Sequence, residues 1–125
     1  MNLTMYGRLK KWRQLYGNKE YVVSINGEIK KIGGARKTKK ILKPTKIKNG
    51  YYVIRINGKT QYQHRLVALS FPEICGEYFD GAEVDHLDND RENNSPFNLQ
   101  FVTKEENRRR EQIRLSNEYN NIPLF

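Results

Sequence analysis

The chain has 125 residues, 37% of them apolar and 30% charged, with a formal charge of +9; this supports one compact domain, or two small modules sharing a core, and excludes a disordered tail. A single cysteine, Cys75, and only two histidines, His64 and His86, exclude an internal disulfide and a four-ligand Cys/His zinc site, so a reduced, cytoplasmic protein is expected. No apolar run approaches the roughly 20 residues of a membrane span, and the N-terminal MNLTMYGRLKKW lacks the apolar centre of a signal peptide, so neither membrane insertion nor secretion is expected.

In chain order, EYVVSINGEIKKI (20–32) is rich in β-branched residues around Asn26-Gly27, which predicts a hairpin. A second hairpin is predicted where Tyr51 to Ile56 and Thr60 to Gln63 flank Asn57-Gly58-Lys59. Between them, GGARKTKKILKPTKIKNG reads as a long basic loop with one short strand at Lys40 to Lys43. HRLVALSF (64–71), followed by Pro72, predicts a short helix ending at the proline. A strand is expected at Glu83 to His86, a loop at Leu87 to Phe97 and a strand at Leu99 to Val102. Thr103 and Glu106 then form a capping-box signature for a helix from Lys104 to about Leu115. The tail SNEYNNIPLF (116–125) is polar with an apolar end.

Charge is unevenly divided along this order. Residues 1–50 carry 14 Lys and Arg against 2 acids, whereas residues 73–98 carry eight acids against Arg91 alone. A basic platform beside an acidic pocket suits a protein that binds a polyanion and needs a cation to do so. The dense, acid-free cluster Arg36, Lys37, Lys39, Lys40, Lys43, Lys46 and Lys48 points to phosphate contact rather than a merely solvated face. Tyr51, Tyr52, Tyr62 and Trp12 are expected to pack rather than stack on bases, and His64 is expected to be structural.

The acidic stretch VDHLDNDRENNSPFNLQFVTKEEN (84–107) places polar residues at the junctions of a strand, loop, strand, helix order, in the pattern D-H-x11-N-x8-N. This resembles the HNH endonucleases of the His-Me finger, or ββα-metal, class, and most closely the phage and intron-encoded homing variant in which asparagine replaces the final histidine. Upstream, YVVSINGEIKKI and ILKPTKIKNGYYVIRINGKTQYQHRLVALSF resemble the NUMOD4 module that precedes such domains. The resemblance implies an α+β fold: a small antiparallel N-terminal sheet followed by a ββα-metal unit. It divides the chain into a basic NUMOD4-like DNA-binding module (1–63), an HNH nuclease domain (64–115) and a tail (116–125). No CxxC zinc staple accompanies it, and no separate C-terminal DNA-reading module is expected after the helix.

Phosphodiester hydrolysis needs an activated water, neutralised phosphoryl oxygens and a stabilised leaving 3′ oxygen. His86 is the candidate general base, because imidazole accepts a proton near neutral pH. Asp85 and Asn107 offer oxygen ligands to one hard divalent cation, Mg²⁺ or Mn²⁺. Neighbours on an ideal strand face opposite ways, so Asp85 and His86 converge only if the strand ends there. The resemblance gives Asn98 the task of bracing the loop and orienting His86. Asp88, Asn89, Asp90, Asn93 and Asn94 lack the spacing of a calcium loop and read as turn formers. Arg55, Arg65, Arg108 and Arg109 join the basic cluster as DNA-binding candidates.

The expected activity is the nicking of double-stranded DNA by a monomer without a protein partner, leaving a 5′-phosphate and a 3′-hydroxyl. The rival is a catalytically inactive DNA-binding or regulatory module on the same scaffold. An RNA-binding role has no aromatic-rich motif to support it.

Overall fold

Both Asn-Gly pairs turn the chain where the sequence puts them. The computed structural model describes residues 11–35 and 39–120, so Arg36 and Lys37 of the basic cluster lie outside the described residues, as do 121–125 of the tail. β1 (Trp12–Leu15), β2 (Asn18–Ser24) and β3 (Ile29–Lys31) form one antiparallel sheet in that order. β4 (Thr45–Lys46), β5 (Tyr52–Ile56) and β6 (Lys59–Tyr62) form a second. Asn57 and Gly58 join β5 to β6 with φ of 49° and 76°, the two left-handed positions that a tight two-residue hairpin requires.

The basic half therefore holds two three-stranded sheets where the sequence pattern implied one. Leu42 N–H donates to the Ile29 carbonyl at 2.8 Å and Ile41 bridges Lys30. Pro44 has no N–H with which to extend that ladder, and the chain leaves to pair as β4 on the second sheet. The strand expected at Lys40 to Lys43 thus shrinks to a single bridge. The first sheet also gains β1, a strand that the sequence pattern does not announce.

α1 (Gln63–Ser70) starts one residue before the expected His64 and stops ahead of Pro72, which opens the single turn α2 (Pro72–Cys75). α1 is the hub of the core: Leu66, Val67, Ala68 and then Phe71 pack with Leu15, Val23 and Ile29 of the first sheet and Ile54 and Ile56 of the second. Val84, Leu99 and Phe101 complete the same cluster. One hydrophobic core therefore crosses the boundary that the sequence places after residue 63. Phe71 is fully buried, worth about 1.5–3 kcal/mol of transfer free energy, and the Arg13 guanidinium lies over its ring at 4.2 Å, tying β1 to the helix. Trp12 is only half-buried, with Lys30 Nζ over its ring at 4.1 Å.

β7 (Glu83–His86) and β8 (Leu99–Val102) pair antiparallel, with Asp85 opposite Gln100 and His86 opposite Leu99. A 3₁₀ turn at Pro96–Asn98 leads into β8. α3 (Lys104–Asn120) then begins with Glu106 N–H on Thr103 Oγ1 at 3.0 Å. The Glu106 carboxylate is engaged by Arg109 and Arg110, which draw it toward the helix flank. α3 runs past the expected end at Leu115 because no glycine or proline interrupts the sequence before Pro123. No helix among the described residues is long and apolar enough to cross a membrane.

Candidate active site

β7 ends at His86, and that ending resolves the facing problem of neighbouring strand residues. The His86 carbonyl accepts from Asn89 N–H at 2.8 Å, and Leu87 N–H turns onto the Asn98 carbonyl at 2.8 Å. Asp85, His86 and Asn107 consequently line one pocket, together with Tyr51, Asn89, Arg91, Glu111 and Arg114. Asp85 is 3% and His86 5% exposed, so the two groups meet solvent only through that opening.

Asn107 reaches the pocket from the first turns of α3. Its Nδ2 donates to Glu83 Oε1 at 2.9 Å, which commits the amino group and leaves the amide oxygen as its donor to a cation. Asp85 accepts from Arg114 Nη1 and Nη2 at 2.9 and 3.0 Å and from Arg110 Nη1 at 3.0 Å. An ionised carboxylate has about four acceptor sites, so one remains. Asn107, Arg110, Glu111 and Arg114 share a face of α3 by helical spacing. Contact with Asp85 and Glu106 holds Arg110 further above its ordinary guanidinium range.

A hard divalent cation that keeps several waters needs only one or two protein oxygens, and the Asp85 carboxylate with the Asn107 amide oxygen fits that need. Among the described residues no group of three His, Cys, Asp or Glu side chains is placed to hold a metal ion by itself, so a cation held by Asp85 and Asn107 would take its remaining ligands from water and phosphate.

The loop from Leu87 to Ser95 is fastened from within. Asn98 Nδ2 donates to Asp88 Oδ1 at 2.8 Å and to the Asn93 carbonyl at 2.9 Å, while its Oδ1 accepts from Asp88 N–H at 3.0 Å. Asn93 Nδ2 bonds the other Asp88 oxygen at 2.8 Å, and this contact leads the set that holds the Asp88 carboxyl below the usual range. Asn98 thus braces the loop, but the side chain on His86 is another. Asn94 Oδ1 lies 2.7 Å from His86 Nε2, and Asn94 is buried. By sequence Asn94 ranks among the turn formers, and nothing there separates it from Asn93.

His64 is also close to His86, with ring centroids 5.2 Å apart, and Tyr51 and Tyr62 flank it at 4.7 and 5.2 Å. It sits inside the first turn of α1, with Tyr62 at the N-cap. Burial, aided by His86, Arg65 and Arg91, lowers His64 to about 3 and keeps it neutral beside His86. Tyr51 lines the pocket itself and carries the Arg91 guanidinium over its ring at 4.4 Å, while Arg91 also bonds the Asn49 carbonyl.

Residues 61–109 match the family model described as HNH endonuclease. This segment belongs to the HNH endonuclease family. The chain is 39% identical over 101 residues to DNA endonuclease I-HmuI of Bacillus phage SP01, covering 77% of this chain and 54% of that one. It is 30% identical over 97 residues to an uncharacterised HNH endonuclease of Acanthamoeba polyphaga mimivirus, covering 74% and 27% respectively. A solved structure of the HNH homing endonuclease I-HmuI, reported for its DNA binding and cleavage, superposes with a TM-score of 0.72 at 35% identity, over 84% of this chain and 59% of that chain. The chain thus spans about half the length of one curated relative and about a quarter of the other.

Of the DNA-binding candidates, Lys39, Lys40, Lys43, Lys46, Lys48, Arg55, Arg65, Arg108 and Arg109 are all exposed. Arg109 forms a two-pronged pair with Glu106. Arg114 lines the pocket and Arg110 bonds the pocket residue Asp85, whereas the DNA-binding candidates Arg108 and Arg109 are not among the lining residues. Spacing supplies the missed signal, since 110 and 114 lie three and seven residues beyond Asn107 on one helical face. Arg91, the lone cation of the acidic stretch, also lines the pocket, as do Tyr51, Asn89 and Glu111, none of which carries a site role in the sequence pattern.

Proposed function

We propose that the chain hydrolyses phosphodiester bonds of double-stranded DNA, nicking one strand per active site, with one Mg²⁺ or Mn²⁺ held by Asp85 and Asn107. The observation that carries this reading is the convergence of Asp85, His86 and Asn107 on a single pocket. When bound, the cation supplies charge neutralisation at the phosphoryl and leaving 3′ oxygens. His86 takes a proton from the attacking water, a contribution typically worth about 10²- to 10⁴-fold. Arg91, steadied by the Tyr51 ring and the Asn49 carbonyl, offers a fixed guanidinium to a phosphate entering the pocket. Cleavage in this way leaves a 5′-phosphate and a 3′-hydroxyl.

The duplex lies along the basic half. Lys46 and Lys48 sit at the β4–β5 turn, whose Asn49 carbonyl holds Arg91, so the exposed lysines continue directly into the pocket rim. This placement supports the basic half, residues 1–63, as a DNA-binding module of NUMOD4-like type.

The binder reading is favoured by one observation: all three hydrogen bonds that Asp85 accepts come from arginines. Incubation with supercoiled plasmid separates the two. An endonuclease converts it to open circles with Mg²⁺ or Mn²⁺ and stops when EDTA is added; a binder retards the plasmid and leaves it supercoiled under both conditions.

A further inference from the structure

We propose that Gly27, Gln63 and Asn94 form a relay of amides that fixes which ring nitrogen of His86 carries the proton, making Asn94 and Gln63 positioning residues for the hydrolysis. This rests on His86 as the general base. The relay begins at a group whose role is chemically fixed. The Gly27 backbone carbonyl can only accept, and Gln63 bonds it at 2.8 Å, so Gln63 must present its amino group there. Its Oε1 is thereby turned to Asn94, 3.1 Å away, and can only accept in turn. Asn94 must then offer Nδ2 to Gln63, which leaves Oδ1 for His86 at 2.7 Å. An amide oxygen has no proton to give, so His86 Nε2 carries the hydrogen and Nδ1 keeps the lone pair that a base requires.

The start of the relay is held on several sides. Ser24 Oγ accepts from Asn26 N–H at 3.1 Å and Glu28 N–H at 3.2 Å, and Gly27 N–H bonds the Ser24 carbonyl at 2.9 Å. Ser95, next to Asn94, donates its hydroxyl to the Ile25 carbonyl at 2.9 Å. Gly27 also abuts Asn94 so closely that a Cβ there would lie 2.1 Å from the Asn94 carbonyl oxygen. The β2–β3 turn is thus built against the HNH loop. Gln63 and Asn94 are both buried, so water does not compete for these amides. The basic N-terminal half therefore sets the orientation of the nuclease histidine through three hydrogen bonds, in addition to presenting cations to DNA.

The test reads the proton directly. Nitrogen-15 NMR of the His86 ring, in the metal-free protein at a pH where the imidazole is neutral, is expected to show Nε2 protonated and Nδ1 bare. Gln63→Leu, which removes a residue that bonds Asn94 rather than His86, and Asn94→Leu should both populate the opposite tautomer. Both should lower single-turnover nicking by about 10- to 10²-fold with DNA affinity unchanged. Circular dichroism confirms the fold, and Gln63→Leu carries the test if Asn94→Leu fails to fold. A wild-type ring protonated on Nδ1, or a Gln63→Leu variant with unchanged tautomer and unchanged rate, overturns the relay. The NMR readout needs neither metal nor cleavage. If the wild-type chain makes no nicks, it still decides the relay, and the failure of the functional reading is seen separately.

Discussion

Gly27 and Gly58 occupy nearly the same backbone conformation, with φ of 80° and 76°, yet alanine at each meets different surroundings. At Gly58 nothing lies within 4 Å of the added Cβ, so Gly58→Ala costs only the left-handed penalty, about 1–2 kcal/mol. At Gly27 the Cβ would lie 2.1 Å from the Asn94 carbonyl oxygen and 2.6 Å from its carbon, both backbone atoms. Relief requires the turn and the loop to separate by on the order of 1 Å, adding an overpacking cost of about 1–3 kcal/mol. It also stretches the 2.8 Å Gln63 to Gly27 bond, worth about 1 kcal/mol more. Gly27→Ala should therefore be about 2–4 kcal/mol less stable than Gly58→Ala in urea unfolding, and its nicking rate should fall while that of Gly58→Ala holds. Equal losses of stability in the two variants would refute the close packing of the β2–β3 turn on the HNH loop.

Asp85→Ala should weaken Mn²⁺ or Mg²⁺ binding at least about tenfold by calorimetry and remove cleavage, while DNA affinity is kept because Arg110 and Arg114 remain; unchanged metal affinity would exclude Asp85 as a ligand. His64 is lowered from 6.5 to about 3, so the folded state resists its protonation: the associated stability is complete above about pH 6.5 and is lost as pH falls toward 3. That loss reaches about 2 kcal/mol near pH 5, and His64→Phe should abolish this part of the pH dependence of the urea midpoint. Replacing Lys46 and Lys48 with alanine should flatten the slope of log affinity against log salt by about 0.9 for each phosphate no longer neutralised, measured by filter binding or anisotropy at several salt concentrations.

The two strands of the HNH unit were legible in the sequence, with both ends at Glu83, His86, Leu99 and Val102, because polar residues and a proline bracket short apolar runs there. The hairpins were legible through Asn26-Gly27 and Asn57-Gly58, whose left-handed glycines leave little choice of turn. β1 and the division into two sheets were not, since Trp12–Leu15 alternates weakly and the effect of Pro44 depends on which sheet has a free edge beyond it. At the site, Asp85, His86 and Asn107 line one pocket. Asn94 was hidden because its partners, Gln63 and His86, lie 31 and 8 residues away, and only the packing of α1 against the loop brings them together. Arg110 and Arg114 could have been picked out by their spacing of three and seven residues from Asn107, which puts all three on one face of α3.

The hydrolysis proposed for the pocket turns on His86 removing the proton from the attacking water. Single-turnover nicking of duplex DNA by His86→Ala with Mg²⁺ or Mn²⁺ tests this, with DNA binding measured on the same preparation. The expected rate is lower than the parent's by about two to four orders of magnitude at unchanged affinity. Cleavage at the parent rate would rule out His86 as the base.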